Sequence, residues 1–330
     1  MSEDGPPVYL NKDNCLHCGI CYLICPQIHE LNNELNDRYK FKLPIGNWSK
    51  IVSAKTTNPE VHKVGTDGGV ITSILIAMLE NNLIDGALVS KRINPFQREP
   101  FLATTKKELI EAAGTKFDLS GHISGLGQYN TFVPTISKLK HVLNRDLMNI
   151  AVVGVPCQIH SIRKMQELSI LPAHIIKYIL GLFCYENFKF DETARKKMEE
   201  RFDFSFDNIE KMNVKDYLII YLKGKDQPLY IEFSELHDIM RHACSVCKNF
   251  SNFYSDISFG GLGSKDGFTT SIIRTDLGEK IYKLARDKGY IEEPPELNTS
   301  VEKSKMLAKI ISFSRMKGKG VEDALKHLPL

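Results

Sequence analysis

The chain has 330 residues, 42% hydrophobic and 25% charged, the proportions of a folded protein with a substantial core. A formal net charge of +3 leaves no electrostatic footprint for nucleic acid. The opening Met-Ser-Glu-Asp-Gly-Pro-Pro has neither the basic nor the apolar stretch of a secretory signal, and the longest apolar segments, 71–79 and 150–157, are far short of a bilayer span. The expected location is the cytoplasm, where thiolates stay reduced and open to metal.

The first feature in chain order is Cys15-x2-Cys18-x2-Cys21-x3-Cys25-Pro26. Two-residue spacers wrap a backbone around a cubane so that thiolates converge and amides face the sulfurs. A disulfide staple suits small secreted domains, and zinc sites show two separated cysteine pairs, so the spacing points to [4Fe–4S]. After Pro26 the chain reads Gln-Ile-His-Glu-Leu-Asn-Asn. That is not the small apolar hairpin of ferredoxins, which argues against a full ferredoxin fold. Residues 1–47 read as a cluster-bearing lead segment whose polar run, 32–42, is expected to be a solvated connector.

From Trp48 the rhythm changes, and 48–330 reads as the core. An edge strand is expected at 50–54. Gly65-Thr66-Asp67-Gly68-Gly69 opens a helix with Val70, Ile71, Ile74, Leu75, Met78 and Leu79 on its buried face. A strand at 86–90 and helices at 106–113 and 132–143 come next. The apolar runs 148–155 and 174–183 read as buried strands, with a helix at 158–168 between them. Alternation of this kind implies an α/β core with parallel pairing. Residues 217–222 and 229–233 suggest an antiparallel pair, making the sheet mixed. The stretch 301–316, with Met306, Leu307, Ile310 and Phe313, reads as a helix packed on its own core; the alternative is a docking helix.

Four further cysteines are dispersed: Cys157, Cys184 and the pair Cys244-x2-Cys247. Cys157 and Cys184 each come after an apolar strand, and ligands gather beyond the carboxyl ends of strands in α/β sheets. They read either as ligands converging on the 244/247 pair or as small buried apolar residues. Three glycine loops stand out: Asp67-Gly68-Gly69 at a helix start, Gly114-Thr115-Lys116, and Gly263-Ser264-Lys265-Asp266-Gly267 within a run of four glycines in eight residues. Each alone is an ordinary turn; together they suggest a nucleotide-like cofactor. Gly125-Leu-Gly127 lacks the third glycine of a dinucleotide fingerprint.

In order, Lys50-Ile-Val-Ser-Ala-Lys55, Asp67-Gly-Gly69, Ala112-Ala-Gly-Thr-Lys116, Pro156-Cys-Gln158, Gly181-Leu-Phe-Cys-Tyr-Glu-Asn-Phe188, Cys244-x2-Cys247-Lys248 and Gly263-Ser-Lys-Asp-Gly-Phe-Thr-Thr-Ser-Ile-Ile-Arg-Thr275 resemble the motifs of the beta subunits of coenzyme F420-dependent hydrogenases and dehydrogenases. The resemblance spans residues 50 to 290. With the lead segment included, it is nearest to the input subunit of the reduced-F420 dehydrogenases. It implies a mixed-sheet flavin-binding core, FAD, a [4Fe–4S] cluster on Cys157, Cys184, Cys244 and Cys247, and reaction with the deazaflavin coenzyme F420. Cys25 is left by count to join Cys15, Cys18 and Cys21 on a second cluster. The coenzyme carries hydride and clusters carry single electrons, so the expected route is reduced F420, FAD N5, core cluster, N-terminal cluster, then a larger redox complex or a ferredoxin-like acceptor. Lys55, Lys116, Arg163 and Lys164 are candidate cations for the coenzyme's anionic tail. His17, His29, His122, His160 and His242 read as surface or structural, and no general acid or base is assigned. The competing readings are a formate dehydrogenase or hydrogenase beta subunit reducing F420, a relay subunit without a small substrate, and a structural zinc protein.

Overall fold

The computed structural model describes residues 12–94, 97–114, 147–188, 192–214 and 216–326. The expected helix at 132–143, the turn at 125–127, His122, Thr115 and Lys116 lie outside them. Among the described residues the centre is an eight-stranded sheet. Its strands are β1 (Lys50–Thr56), β2 (Gly86–Asn94), β3 (Gln97–Ala103), β4 (Ile150–Gly154), β5 (Ile176–Leu182), β9 (Ile257–Gly260), β10 (Thr269–Ile273) and β11 (Ile291–Glu292). They lie in the order β11-β1-β10-β9-β5-β4-β2-β3. Strands β2, β4, β5 and β9 run parallel, and β3, β10, β1 and β11 add antiparallel wings.

The alternation of side chains separates two cores. Val52, Ala151, Leu180 and Ile273 face α4 (Val70–Glu80), α5 (Lys106–Ala112) and α8 (Asp276–Asp287). On the opposite face, Val152 and Ile179 pack on Ile159 and Ile162 of α6 (Pro156–Glu167), while Ile51 and Ile272 pack under Met306 and Ile310 of α9 (Ser300–Lys326). The long C-terminal helix is thus packed on its own core, as its periodicity indicates. No helix among the described residues is long and apolar enough to cross a membrane.

Three expectations change. β1 is not an outer edge: β10 lies on one side and β11 on the other. Beyond β11, the Asn298 amide accepts from Ser53 N at 2.9 Å and donates to Ser53 O at 2.8 Å, answering that residue's backbone groups as a strand would. The pair at 217–233 does not join the main sheet. β6 (Ile209–Val214), β7 (Leu218–Leu222) and β8 (Leu229–Ile231) make a separate antiparallel sheet packed on Ala194 and Met198 of α7 (Glu192–Phe202). The polar run 32–42 is not a solvated connector. It contains α2 (Asn32–Arg38), whose Leu35 is fully buried against α6.

The lead segment is knitted in by buried polar groups. Arg274, 6% exposed, donates to Ser258 Oγ, to Ile45 O and Asn47 O, and to Ser251 O and Oγ. All five of its N–H donors are used, with no carboxylate among these acceptors. Burial pulls its pKa down to about 9, so it stays charged at neutral pH. Arg274→Met would leave several buried carbonyls without a donor. The expected loss is about 3 kcal/mol or more, read as a lower urea midpoint with an unchanged m value.

Candidate functional site

The carboxyl ends of β4, β5 and β9 meet at one edge of the sheet, and the dispersed cysteines and the described glycine loops assemble there. Pro156 starts α6 directly after β4, so Cys157 sits in the helix's first turn. Cys184 comes just after β5, where its N–H donates to Phe250 O at 2.9 Å. Asn252 sets the spacing of these two ends. Its amide donates to Gly154 O at 2.9 Å and to Leu182 O at 3.2 Å. Cys244 and Cys247 lie on a turn closed by Cys244 N to Arg241 O at 2.8 Å and Cys247 N to Cys244 O at 3.2 Å. The backbone of 187–188 pairs with that of 240–241, which brings the turn to Cys184.

The four dispersed cysteines are free thiols close enough to act on each other's charge. Burial, then Cys247 and Cys244, pushes the Cys157 thiol up to about 12. Burial also pushes Cys184 and Cys244 up, against the nearby Lys317. Gathered thiolates in so dry a place need a cationic body between them, which is the chemistry of a cluster site. Among the described residues, no three ligand-type side chains close on a single ion. A cubane is larger than one ion, and its cysteine sulfurs stand further apart. Two donors missed in the sequence reading serve this set. Asn187 Nδ2 donates to Cys184 Sγ at 3.2 Å. Lys317, 5% exposed on α9, donates to Cys184 O at 2.8 Å and Asn249 O at 3.3 Å. Burial opposes the charge on Lys317, but Cys247, Cys184, Cys244 and Glu186 outweigh it and raise its pKa. A cleft of ≈ 630 Å³, lined among others by Tyr185, Glu186, Cys244 and Lys317, opens beside this set.

The N-terminal cysteines lie on a more open segment: Cys18 and Cys21 are exposed, Cys15 and Cys25 half-buried. Their segment is seated on α6. Lys164, fully buried, donates to Cys25 O at 2.9 Å and Ile28 O at 2.5 Å. His160 Nε2 meets Asn32 Oδ1 at 2.9 Å, and Arg38 pairs with Glu167 at 2.8 Å. Gln27 Nε2 reaches Ala243 O, beside Cys244, at 2.9 Å. Cys157 and Lys164 are seven residues apart on one helix, an axial rise of about 10 Å. The two cysteine sets are therefore neighbours on a common ruler.

The glycine loops also come together. Gly69 takes positive φ and begins α4, whose first turn receives no side-chain cap. Its amides are thus available to an anion. A Cβ on Gly261 would meet the Asp67 carboxylate at 2.7 Å, and one on Gly114 would strike the Val64 backbone, close to Thr66. The roles within each loop are unequal. Gly68 N donates to Thr269 Oγ1 and its carbonyl accepts from Thr56, so this glycine serves close packing between β1 and β10. Ser264 Oγ is engaged by Ser53 at 2.8 Å and Thr270 at 2.7 Å. Asp266 is exposed, and Gly263 and Gly267 both take positive φ. Phe183 lies against Gly260, where a Cβ would collide with its ring, so it joins the glycine loop to Cys184.

The candidate cations are differently employed. Arg163 is buried on Tyr254 O and Asp256, and Lys164 on the lead segment; neither is free for a coenzyme tail. Lys55 pairs with Glu292 at 3.0 Å and lies over Phe268. His160 is structural, as expected.

Family models for the coenzyme F420 hydrogenase/dehydrogenase beta subunit match this chain, the N-terminal one over residues 51–126 and the C-terminal one over 147–298. The chain is 32% identical over 257 residues to the coenzyme F420 hydrogenase beta subunit of Methanothermobacter thermautotrophicus, covering 76% of this chain and 86% of that one. It is 30% identical over 292 residues to a subunit of the F(420)H(2) dehydrogenase of Methanosarcina mazei, covering 86% and 73%. In structure it is similar to a chain of the F420-reducing [NiFe] hydrogenase complex of Methanosarcina barkeri, with a TM-score of 0.73, 26% identity, and coverage of 87% and 94%. The chain belongs to the family of coenzyme F420 hydrogenase/dehydrogenase beta subunits.

The seat of the lead segment should be acid-labile. Burial first, then Lys164 and His29, lowers the His160 pKa to about 3. An unfolded histidine titrates near ~6.5, so stability from neutral His160 is complete above that pH and is lost as pH falls toward about 3. Proteolysis within residues 12–47 should accelerate through that window, and His160→Gln should flatten the dependence.

Proposed function

We propose that this chain is the F420-reacting subunit of an oxidoreductase complex and carries FAD and two [4Fe–4S] clusters between the coenzyme and a partner. One observation carries the reading: the dispersed cysteines and the glycine loops gather at one sheet edge, joined by Phe183, and the N-terminal cysteine set is seated beside them on α6 through Lys164 and on Ala243 through Gln27. FAD, when bound, supplies the exchange between hydride and single electrons. The uncapped start of α4, with Gly69, Gly114 and Gly261 at hand, would take the diphosphate. Cys157, Cys184, Cys244 and Cys247 would hold the inner cluster, and Cys15, Cys18, Cys21 and Cys25 the outer one. Gln27, Lys164 and α6 fix the interval between them, so electrons need no domain motion to cross. The exposed flank at Cys18 and Cys21 is the side from which a redox partner or ferredoxin-like acceptor is met. In this reading the chain works in the cytoplasm, free or on the cytoplasmic face of a membrane complex. A nicotinamide dinucleotide would want a second Gly-rich strand–helix turn with a ribose-binding acid, and the sequence offers neither.

Anaerobically prepared protein should contain about eight irons per chain, from the stoichiometry of two cubanes. Reduced coenzyme F420 should bleach the bound flavin far faster than NADH does. Cys18→Ser should halve the iron, spare the bleaching and slow delivery to a one-electron acceptor. Comparable rates with NADH, or no bleaching by reduced F420, would overturn the reading.

The glycine cradle has its own test. Gly261→Ala places a methyl on the Asp67 carboxylate, a contact that a side chain can relieve, whereas Gly68→Val would strike the backbone of Ala54 and Thr269. Gly261→Ala should therefore lower flavin occupancy several-fold by absorbance while leaving the unfolding free energy within about 1 kcal/mol of wild type.

A further inference from the structure

Each cysteine set has one buried lysine bonded to the backbone carbonyl of one of its own cysteines. Lys164 is fully buried and donates to Cys25 O at 2.9 Å. Lys317 is 5% exposed and donates to Cys184 O at 2.8 Å. The two come from different helices, α6 and α9, and reach different sets, yet repeat one arrangement. Each also bonds a second carbonyl beyond its cysteine, Ile28 O for Lys164 and Asn249 O for Lys317. An ammonium has three donors and no acceptor, so two carbonyls fix it in place without neutralising it.

We propose that Lys164 and Lys317 are dedicated counter-cations, each raising the reduction potential of the cluster held by its own cysteine set. This role rests on the proposed function, in which both cysteine sets carry clusters. One-electron reduction adds one negative charge to a cluster and takes up no proton. Around Lys317 the site is dry, and there a cation fixed beside the ligand loop favours that added charge strongly; Lys164 is itself fully buried, beneath a set whose Cys18 and Cys21 are exposed. Lysines held only for packing would be replaceable by an uncharged chain of similar shape. Burial works against the charge on Lys164, which Cys25 and Glu30 favour, and Lys317 shares its cleft with Glu186.

The test is an EPR-monitored redox titration of the full, cluster-loaded chain with dithionite and mediators. Cys18→Ser identifies which signal belongs to which set. Lysines 164 and 317 are each changed to Met, Gln and Arg. Met removes charge and donors, Gln keeps donors without charge, and Arg keeps both. Met and Gln should shift the one-electron equilibrium of the local cluster at least tenfold toward oxidation, about 59 mV, and leave the other cluster in place. Arg should hold the wild-type value within a few-fold. If Met and Gln abolish the local cluster while Arg retains it, the need for charge stands. If all three abolish it, the lysine is a strut and the proposal fails. It also fails if the Gln variant titrates like wild type, or if either lysine moves both clusters alike. A wild-type preparation without iron or EPR signal would refute the cluster reading itself, a separate outcome.

Discussion

The site depends on one side chain, the Asn252 amide, which clasps the carbonyls at the ends of β4 and β5. Adjacent parallel strands finish beside each other in any sheet, but the segments beyond them are free to diverge. Here one chain turns into a helix at Pro156 and the other into a loop at Phe183. Asn252, in the left-handed region and without exposure, holds those departures together and so fixes the separation of Cys157 from Cys184. Gly181 has no side chain because the Asn252 amide occupies that space.

Asn252 is itself held by a buried polar segment between Cys247 and β9. Asn249 Oδ1 accepts from Asn252 N and Phe253 N, and the Asn252 carbonyl accepts from Ser255 and Ser258. Asp256 receives Ile179 N, Arg163 and Thr275, joining β5, α6 and the start of α8. Arg274 binds the same segment to residues 45–47. Such a network is worth keeping only when nearly every donor is answered, since a half-satisfied one is worse than an apolar core. Its reward is geometric, because each bond fixes a direction that packing alone leaves loose.

The sequence disclosed much of this because some signals are local. The cysteine spacing, Gly69 before an apolar helix and the runs that became β4 and β5 are all short-range patterns. The antiparallel pair at 217–233 was legible as a pair, but its sheet was not, since strand partnership is settled by distant contacts. The run 32–42 misled for a related reason. Its one fully buried apolar residue, Leu35, is outvoted by polar neighbours whose partners, His160, Glu167 and Tyr254, are more than a hundred residues away. Arg163 and Lys164 read as candidate cations for the coenzyme's tail because a composition cannot show that Asp256 and two carbonyls await them. Lys317 is different. Met306, Ile310, Phe313, Lys317 and Val321 lie along one helical stripe, and a lysine in that stripe is a legible anomaly.

The lead segment shows why the distinction between tether and dock matters for electron transfer. If both cysteine sets hold clusters as proposed, a mobile arm would let the interval between them vary, and a one-electron step slows steeply with distance. Leu35 in the core, Arg38 on Glu167, Gln27 on Ala243 and Lys164 on Cys25 remove that freedom at four points. The same helix that begins at Pro156 holds Cys157 in its first turn and Lys164 two turns further on, so a shift of α6 would move Cys157 and the contact to Cys25 together. A rigid α-helix shared by two sites converts sequence separation into a fixed spacing. In the proposed function, the rate between the two sites is then left to the charges placed around each of them.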